Sequence, residues 1–407
     1  MKEGISMTFI KTPVKGMRDM TPKEMELREY VLSLMNETYQ NFGFERIQTP
    51  VVEHIENLTN KQGGDNEKLI FKILKRGEKL SLEESKTVDD LVDAGLRYDL
   101  TVPLTRFYSN NMNNLPTPFR TFQTGNVYRA DRPQKGRFRE FMQCDLDMFG
   151  EKTNLAEIEL ITAVITFLKR LDFKGFTIHI NDRRILLKMI EYVGWNQEEA
   201  NSILISLDKL DKIGLEGVKE ELLNNGYDPE KIDKYLSFFA NRSSLLEFCS
   251  QFDMEDSIVQ NLIEIMEMVK ETTGAKLLFD PTLVRGMGYY TGPIFEIHVE
   301  DLESAIGGGG RYDKMVQNYT NVAVAACGFS IGFERLILLL EERGFQIPSP
   351  KAKHAIILNH DDQKMEALKE ANKLRNDGKI VKVLNRSKNL KHQIDVLEES
   401  GYTWQEW

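Results

Sequence analysis

Residues 121–149 constrain the fold more than any other segment, because they have the pattern of two strands around a polar loop, and the second strand alternates between polar and apolar side chains. The loop contains Pro133 and Gly136, which favour a turn, so the segment predicts two neighbouring strands of an antiparallel sheet. Successive side chains of a strand point to opposite faces of its sheet. On the second strand the predicted core-facing side chains are Phe138, Met142, Cys144, Leu146 and Met148. The opposite face carries Arg139, Gln143, Asp145 and Asp147, with Phe141 among them. A sheet face this polar, beside a basic loop, is a candidate floor for a binding site.

The rest of the chain predicts helices around this sheet and a second, smaller unit. Residues 22–42 have the apolar stripe of an amphipathic helix, and Asn154 and Glu157 have the spacing of a capping box before another helix. Residues 184–270 contain helical patterns without strand alternation, which indicates a helical insertion. Strands are predicted to resume in LVRGMGYY, PIFEIHV and SAIGGGGRYD, and HAIILN begins a βαβα pattern near the C-terminus. The fold class is therefore α/β (α+β). The predicted divisions are a discontinuous core at 1–183 and 271–345, the helical insertion at 184–270, and a small C-terminal α/β unit at 352–407.

Composition excludes several classes of protein. The 407 residues suffice for about two to four domains. The longest apolar stretch without charge, at 322–333, is shorter than the roughly 20 residues that a membrane helix needs. The N-terminus lacks the apolar core of a secretory signal, so we expect a cytoplasmic protein. Cys144, Cys249 and Cys327 lie far apart, which predicts neither a disulfide framework nor a structural metal site. The net charge of −10 argues against a uniformly basic surface, although a local basic patch could still bind RNA.

The glycine run at 307–310 is a weak nucleotide signal. It lacks the Gly-Lys-Ser/Thr ending of a phosphate-binding loop and does not open a helix after a strand. Taken alone, it favours a close approach of sheet backbones. Three arginines are a stronger signal. Arg129, Arg285 and Arg335 lie among apolar or glycine residues, where burial of an arginine is unfavourable without an anionic partner. Each alone favours a structural salt bridge, but all three together favour a polyphosphate site, because guanidinium groups bind phosphate oxygens in pairs.

Several segments resemble the histidyl-tRNA synthetases, a family of class II aminoacyl-tRNA synthetases. FQTGNVYRADRPQKGRFREFMQCDLD resembles motif 2 of that family, and GFSIGFERLILLL resembles motif 3. LRYDLTVPLTRF and LVRGMGYYTGPIFEI resemble its two histidine-binding segments, and GGGGRYDKMV resembles its glycine-rich strand. KGMRDMTPKE resembles the N-terminal entry, and GFERIQTPVVE resembles motif 1, which forms the dimer interface in the family. The resemblance covers residues 12–345 in order. It implies a class II antiparallel sheet flanked by helices, and a homodimer.

The resemblance also implies roles for matching positions. Arg129 would hold the α-phosphate of ATP with Asp131 near the adenine, Arg335 would hold the γ-phosphate, and Arg285 would lie beside the α-phosphate and the substrate carboxylate. The implied histidine-binding residues are Asp99, Thr101, Gln143, Asp147, Tyr289 and Tyr290. Catalysis would then rest on Arg285 and Arg129, with Mg²⁺ accompanying the ATP phosphates. Pocket carboxylates and a tyrosine hydroxyl can select imidazole, which has distinct donor and acceptor nitrogens.

The loop at 129–140 has a local excess of basic residues, which suits the phosphates of a tRNA acceptor stem. The candidate tRNA-binding residues are Arg132, Lys135, Arg137 and Arg139. The chain departs from the family at Gly288, where many members have an acidic or small polar residue, and at Met142, often histidine or tyrosine. The C-terminal unit resembles the start of the family's anticodon-binding domain, but we expect it to be shortened, with fewer strands. Its basic residues between 378 and 392 are consistent with RNA contact.

Three functions remain open at this point. The first is histidine–tRNA ligase, acting on histidine, ATP and tRNA(His). The second is a non-catalytic paralogue like the regulatory subunit of ATP phosphoribosyltransferase, against which the full motif 2 loop and the segment with Arg285 argue. The third is an enzyme that adenylates histidine for an acceptor other than tRNA, which a short C-terminal unit would permit.

Overall fold

A computed structural model describes residues 9–59, 64–81, 83, 85–134, 136–239, 244–252, 254–285, 288–300, 302–348 and 350–407, without the side chains of 64–66, 303 and 304. Contacts between residues divide the chain into two compact units. Unit 1 comprises Met1–Asp19 and Val31–Arg343, and unit 2 comprises Met20–Tyr30 and Gly344–Trp407.

The strands of unit 1 form two sheets. In chain order they are β1 (Glu45–Arg46), β2 (Val52–His54), β3 (Lys72–Leu74), β4 (Val92–Leu96), β5 (Phe119–Tyr128), β6 (Glu140–Phe149), β7 (Phe176–Asp182), β8 (Leu277–Phe279), β9 (Pro293–Val299), β10 (Leu302–Arg311) and β11 (Ala326–Gly332). The large sheet has the order β1-β5-β6-β11-β10-β9-β7-β8, and the small one has the order β2-β4-β3. Within the large sheet the pairs are antiparallel except β1 with β5 and β7 with β8 at the edges. The predicted antiparallel sheet is therefore the centre of a mixed sheet.

The helices are α1 (Pro22–Asn41), α2 (Ile55–Leu58), α3 (Thr101–Asn111), α4 (Leu155–Arg170), α5 (Arg183–Val193), α6 (Gln197–Leu207), α7 (Leu210–Asn224), α8 (Pro229–Ser237), α9 (Leu245–Cys249), α10 (Asp256–Thr273), α11 (Gln317–Thr320) and α12 (Phe333–Glu342). The described residues between β7 and β8 contain helices and no strand, as the sequence predicted for 184–270. Short 3-10 helices occur at Gly64–Leu69, Gly77–Lys79, Asp89–Leu91 and Asp361–Gln363.

The strand β6 separates the core from the polar side of the sheet. Cys144, Leu146 and Met148 are almost completely buried, as the alternation predicted. Helix α4 packs against β6 and β11, and its buried side chains include Leu160, Ile161 and Val164. The strand begins at Glu140, however, so period-two alternation does not extend to Phe138. Phe138 lines the pocket described below instead of the core, which corrects the prediction.

Two further local predictions were wrong. The segment LVRGMGYY is not a strand in its described residues, because Arg285 has φ +60°, outside the range of β structure. Asn154 and Glu157 do not form a capping box at α4. Asn154 donates to Glu264 at 2.9 Å, and Glu157 forms a buried ion pair with Arg311.

Unit 2 contains a parallel sheet with a helix after each of its first two strands. Its elements are β12 (Lys353–Leu358), α13 (Lys364–Asn376), β13 (Ile380–Asn385), α14 (Leu390–Glu399) and β14 (Tyr402–Glu406), with strand order β13-β12-β14. The βαβα pattern was predicted, whereas β14 was not. Apolar clusters cover both faces of β12, one around Ile356 and Ala371 and the other around Ile357 and Leu397.

Candidate active site

A pocket of about 850 Å³ opens on the polar face of the large sheet. Strands β6, β9, β10 and β11 supply its floor, and α6 and α7 supply part of its wall. The predicted site residues that line it are Asp99, Thr101, Arg129, Asp131, Arg137, Gln143, Asp147, Arg285, Tyr289, Tyr290 and Arg335. The fold therefore brings together residues that lie more than 230 positions apart in the sequence.

The glycines of β10 leave room for the backbone of β11 and for the side chain of Arg285. A Cβ at Gly309 would lie 1.9 Å from the carbonyl oxygen of Gly328 on β11, so the run does permit close approach of sheet backbones. A Cβ at Gly308 would lie 2.9 Å from Nη1 of Arg285. The absence of a side chain there leaves room for the guanidinium group above the sheet.

Arg285 forms an ion pair through one guanidinium nitrogen, whereas another of its nitrogens has no partner among the described residues. Its Nη1 forms an ion pair with Glu296 on β9. Burial alone would lower the pKa of Arg285, but Tyr290 and Glu296 outweigh burial, and the pKa lies above its ordinary value. Its buried Nε has no hydrogen-bond partner among the described residues. An unpaired buried donor on a charged group is a position for an anionic ligand atom.

Arg129 follows β5 and lies between two aromatic rings. Its guanidinium carbon is 4.0 Å from the ring centroid of Tyr98 and 5.2 Å from that of Phe141. Its Nε donates to the carbonyl oxygen of Tyr98 at 3.1 Å. These contacts fix the plane of the guanidinium group and leave its charge without a carboxylate partner in an ion pair within the described part of the chain.

Arg335 lies in the first turn of α12, where Nη1 donates to the carbonyl oxygen of Ala305. Burial lowers its pKa, and the nearby charges of Arg137, Arg285 and Arg129 lower it further. Arginine remains charged even so. Cations that repel one another inside one pocket are a site for a ligand with several negative charges, as the polyphosphate hypothesis requires.

Three buried carboxyl groups form the other end of the pocket. Burial is the largest influence on each: it raises the pKa of Asp99 and Asp147, and it raises that of Asp145 to about 7. Asp99 also accepts a hydrogen bond from the backbone N–H of Val102 at 2.9 Å, beside Thr101 at the start of α3. Asp147 accepts one from the Tyr312 hydroxyl, and its second oxygen has no partner among the described residues.

Beside these groups lie two tyrosines, of which Tyr290 is buried and Tyr289 is half-buried. The ring centroids of Tyr289 and Tyr290 are 4.7 Å apart, and burial raises the pKa of both hydroxyls. Both hydroxyls therefore stay protonated and can donate hydrogen bonds. Gln143 completes this end: its Nε2 donates to Ser330 at 3.1 Å, while its buried Oε1 has no partner among the described residues.

Some basic residues of the loop at 129–140 line the pocket, and others lie outside it. Arg137 lines the pocket, and its Nε lies 3.6 Å from Oδ2 of Asp131. Arg139 does not line it, and its Nε donates to the backbone oxygen of Asp131 at 3.1 Å. Arg132 is exposed and also outside the lining, and Lys135 lies outside the described residues.

The two positions that depart from the family pattern are placed differently. Gly288 lines the pocket, whereas Met142 does not, and the backbone N–H of Met142 donates to Glu334 at 3.3 Å. Of the two, only the glycine can alter the shape of the pocket directly.

Several residues that line the pocket were not predicted from the sequence. They are Arg183, Asp208, Lys209, Lys212, Glu296, Tyr312, Ser330 and Glu334. Glu296 and Ser330 each interrupt an apolar strand, which is a signal that could have been read. Lys209 and Lys212 lie at the α6–α7 junction, and only the tertiary structure brings that junction to the pocket. In the described part of the chain, no group of three or more His, Cys, Asp and Glu side chains could hold a metal ion.

This fold and pocket, a sheet with an antiparallel centre and an arginine-rich site without a phosphate-binding loop, define a class II aminoacyl-tRNA synthetase core. The profile of the family described as Histidyl-tRNA synthetase matches residues 16–336. The chain belongs to the histidyl-tRNA synthetase family, whose members use ATP.

Curated relatives and solved structures agree with this assignment. The chain is 40% identical to a histidine–tRNA ligase of Leifsonia xyli, over 96% of this chain and 94% of the relative. It is 35% identical to that of Christiangramia forsetii, over 93% and 88%. The crystal structure of histidyl-tRNA synthetase from Nostoc has a TM-score of 0.78 at 25% identity, covering 97% of this chain and 90% of that one. A Bacillus halodurans structure, titled as an ATP phosphoribosyltransferase regulatory subunit/histidyl-tRNA synthetase, has a TM-score of 0.79 at 22% identity, covering 98% and 100%, and supports the fold alone.

The described residues also bear on membrane insertion. None of their helices combines the length and the apolar character needed to cross a membrane.

Proposed function

We propose that this chain is a histidine–tRNA ligase that activates histidine with ATP and transfers it to the 3′ end of tRNA(His). One observation carries the proposal: three buried polar atoms in the pocket lack partners among the described residues, namely Asp147 Oδ2, Gln143 Oε1 and Arg285 Nε. They offer two acceptors and one donor. Histidine supplies the complement, because its ammonium group and imidazole N–H donate and its carboxylate accepts.

Histidine would occupy the end of the pocket with the buried carboxyl groups. Asp147 Oδ2 would accept from one imidazole nitrogen, and the Tyr290 hydroxyl would donate to the other. Asp99, Thr101 and Gln143 would surround the ammonium group, with Tyr289 on the pocket wall. An apolar side chain of similar size would leave Asp147 unpaired in a buried site, which disfavours it strongly.

ATP would occupy the cationic end. Arg129 would bind the α-phosphate, Arg335 the γ-phosphate, and Arg285 the α-phosphate together with the histidine carboxylate, while Asp131 would lie near the adenine. Mg²⁺ would arrive bound to the ATP phosphates, because proteins usually hold this ion through substrate phosphates, water and only one or two carboxylates.

The chemistry follows from placing two anions side by side. A histidine carboxylate oxygen attacks the α-phosphorus in line, a new O–P bond forms, and the bond to the β-phosphate oxygen breaks to release pyrophosphate. Arg129 and Arg285 neutralise the charge that would otherwise separate the reactants, and neither has to transfer a proton. In the second step a hydroxyl of the terminal tRNA ribose attacks the carbonyl carbon of the adenylate, and AMP leaves.

The acceptor end of tRNA would meet the motif 2 loop through Arg132, Lys135, Arg137 and Arg139. We further propose a cytoplasmic homodimer, in which 1–183 and 271–345 form the catalytic core, 184–270 an insertion, and 352–407 a unit that contacts tRNA. The basic residues of that unit, Lys379, Lys382, Arg386, Lys388 and Lys391, are all exposed, which supports such a contact.

Charging of tRNA tests this proposal against its alternatives. Purified protein, ATP, Mg²⁺ and labelled histidine are incubated with total tRNA, and acid-precipitable label is measured before and after mild alkali, which cleaves the ester. Label that alkali releases supports the ligase. Adenylate formation without charged tRNA would favour a different acceptor, and absence of both activities would favour a regulatory paralogue.

A further inference from the structure

A hydrogen-bond chain crosses from β6 to β11 beneath the histidine end of the pocket. Asp145 and Ser330 are directly opposite each other in the antiparallel pair of these strands. The Ser330 hydroxyl donates to Asp145 Oδ1, and Gln143 Nε2 donates to the same hydroxyl. Asp145 and Ser330 have no role in the phosphate and histidine contacts proposed above, although both line the pocket.

Asp145 determines which groups donate and which accept along this series of hydrogen bonds. An ionised carboxylate can only accept hydrogen bonds, so the Ser330 hydroxyl must donate to Asp145. The oxygen of Ser330 is then left as an acceptor and selects the NH₂ end of the Gln143 amide. The opposite end of that amide, Oε1, is buried and has no partner among the described residues. It is therefore held ready for a donor from the ligand.

We propose that Asp145 and Ser330 are positioning residues that hold the Gln143 amide with its oxygen towards the histidine ammonium group. This inference rests on the proposed function, and it adds a reason for the choice of a free amino acid. A reversed amide would present NH₂ donors to an ammonium group that itself has only donors. This series of hydrogen bonds from Gln143 through Ser330 to Asp145, called the relay below, thus favours ligands with an α-ammonium group.

The same chain makes histidine binding depend on pH. A protonated Asp145 can donate to Ser330, whose hydroxyl is then free to donate to the amide oxygen and turn the NH₂ end into the pocket. Burial raises the pKa of Asp145 to about 7, so the acceptor form predominates only above that pH. The titratable or charged groups that interact electrostatically with Asp145 are Tyr39, Arg97, Asp99, Arg129 and Asp147.

The test compares two ligands that differ only in the ammonium group. Histidine KM is measured by ATP–pyrophosphate exchange, and 3-(imidazol-4-yl)propionate, which lacks the amino group, is measured as a competitive inhibitor. Ser330→Ala should raise the histidine KM roughly tenfold and change the inhibitor Ki by less than about twofold. Ser330→Thr keeps the hydroxyl and should restore most of the histidine KM.

The pH series separates positioning from general damage to the pocket. In wild-type protein the ratio of histidine KM to inhibitor Ki should rise as pH falls below about 7. Asp145→Asn cannot titrate and should make that ratio independent of pH between about 6 and 8. The ammonium group of histidine lowers the pKa of its own ring, so the two imidazoles titrate at different pH values. Each constant is therefore expressed for the neutral-ring form of its ligand before the ratio is taken.

The outcomes distinguish this inference from the function on which it rests. Exchange with histidine in wild-type protein, together with Ser330→Ala weakening both ligands equally or neither, overturns the relay and leaves the ligase proposal standing. A ratio in Asp145→Asn that still changes with pH as in wild-type protein also overturns it. Wild-type protein that shows no histidine-dependent exchange overturns the proposed function and the relay together.

Discussion

Tyr312 donates a hydrogen bond of 2.6 Å to one oxygen of Asp147, whose other oxygen is buried without a partner among the described residues. The tyrosine follows the glycine strand β10, and the aspartate lies on β6, so β11 separates their strands in the sheet. A Cβ at Gly328 of β11 would lie 2.1 Å from the bonded Asp147 oxygen, so the glycine makes this contact possible. The pair orients the carboxylate that we assign to imidazole recognition.

Loss of that hydrogen bond should weaken histidine binding more than ATP binding. Tyr312→Phe leaves a buried acceptor unpaired and frees the carboxylate to turn, so the histidine KM should rise roughly 5- to 50-fold with little change in the ATP KM. Steady-state exchange kinetics measure both constants. The control is Tyr192→Phe, which removes the hydroxyl of a more exposed tyrosine on α5. An equal rise in both KM values would show that Tyr312 supports the pocket in general and not the histidine end.

Loss of Arg285 should slow adenylation while the fold stays intact, because Glu296 keeps His298 as a hydrogen-bond partner. Arg285→Ala removes the charge beside the reacting carboxylate and α-phosphate, and we expect single-turnover adenylation to slow by about 10²–10⁴-fold. Arg170→Ala removes an arginine that pairs with Glu37, remote from the pocket lining, and should retain the wild-type rate. A normal single-turnover rate in Arg285→Ala would refute the role assigned to Arg285.

The Glu157–Arg311 ion pair should contribute strongly to stability. Arg311 donates from Nε and Nη2 to the two carboxylate oxygens at 2.7 Å each, and Glu157 is 1% exposed. Arg311→Met would leave that carboxylate buried and unpaired, so the free energy of unfolding in urea should fall by about 3–5 kcal/mol. Lys219→Met breaks the exposed pair with Asp233 and should leave the free energy of unfolding almost unchanged. Similar losses in the two variants would contradict this difference between buried and exposed pairs.

Asp145 should make the protein less stable as pH rises. Its pKa is raised on folding from 3.8 to about 7, so the folded state binds the proton more tightly than the unfolded state does. That contribution to stability is complete below the unfolded pKa and is lost as pH rises through about 7. Asp145→Asn removes the buried charge, so at pH 8.5 it should raise the free energy of unfolding. Urea unfolding near pH 4.5 should show a much smaller gain, and an equal gain at both pH values would contradict the account.

Features that depend on neighbouring residues could be predicted from the sequence, whereas features that depend on distant segments mostly could not. Alternation in β6 correctly separated Leu146 from Asp147, and arginines among apolar residues marked a real cationic pocket. The same alternation failed at Phe138, because regular strand geometry begins only at Glu140. Arg285 was identified by its apolar and glycine neighbours, but its local structure was predicted wrongly, because those neighbours do not reveal its positive φ.

Long-range hydrogen bonds were beyond the sequence alone. The partners Asp145 and Ser330 are 185 positions apart, and nothing near either residue indicates the other. Likewise, Glu157 fits a capping box by spacing, but a bidentate bond with Arg311 uses its carboxylate instead. In unit 2, β14 comes from YTWQE, whose mixed polarity gave no clear strand signal, and pairing with β12 determines its conformation.

Amino-acid-dependent ATP–pyrophosphate exchange tests whether this protein activates histidine. Wild-type protein is assayed with each of the twenty standard amino acids in turn, using labelled pyrophosphate, ATP and Mg²⁺. We expect exchange with histidine far above that with any other amino acid, because only imidazole pairs with both Asp147 and Tyr290. Exchange that is absent with histidine, or equally fast with an apolar amino acid, would contradict it.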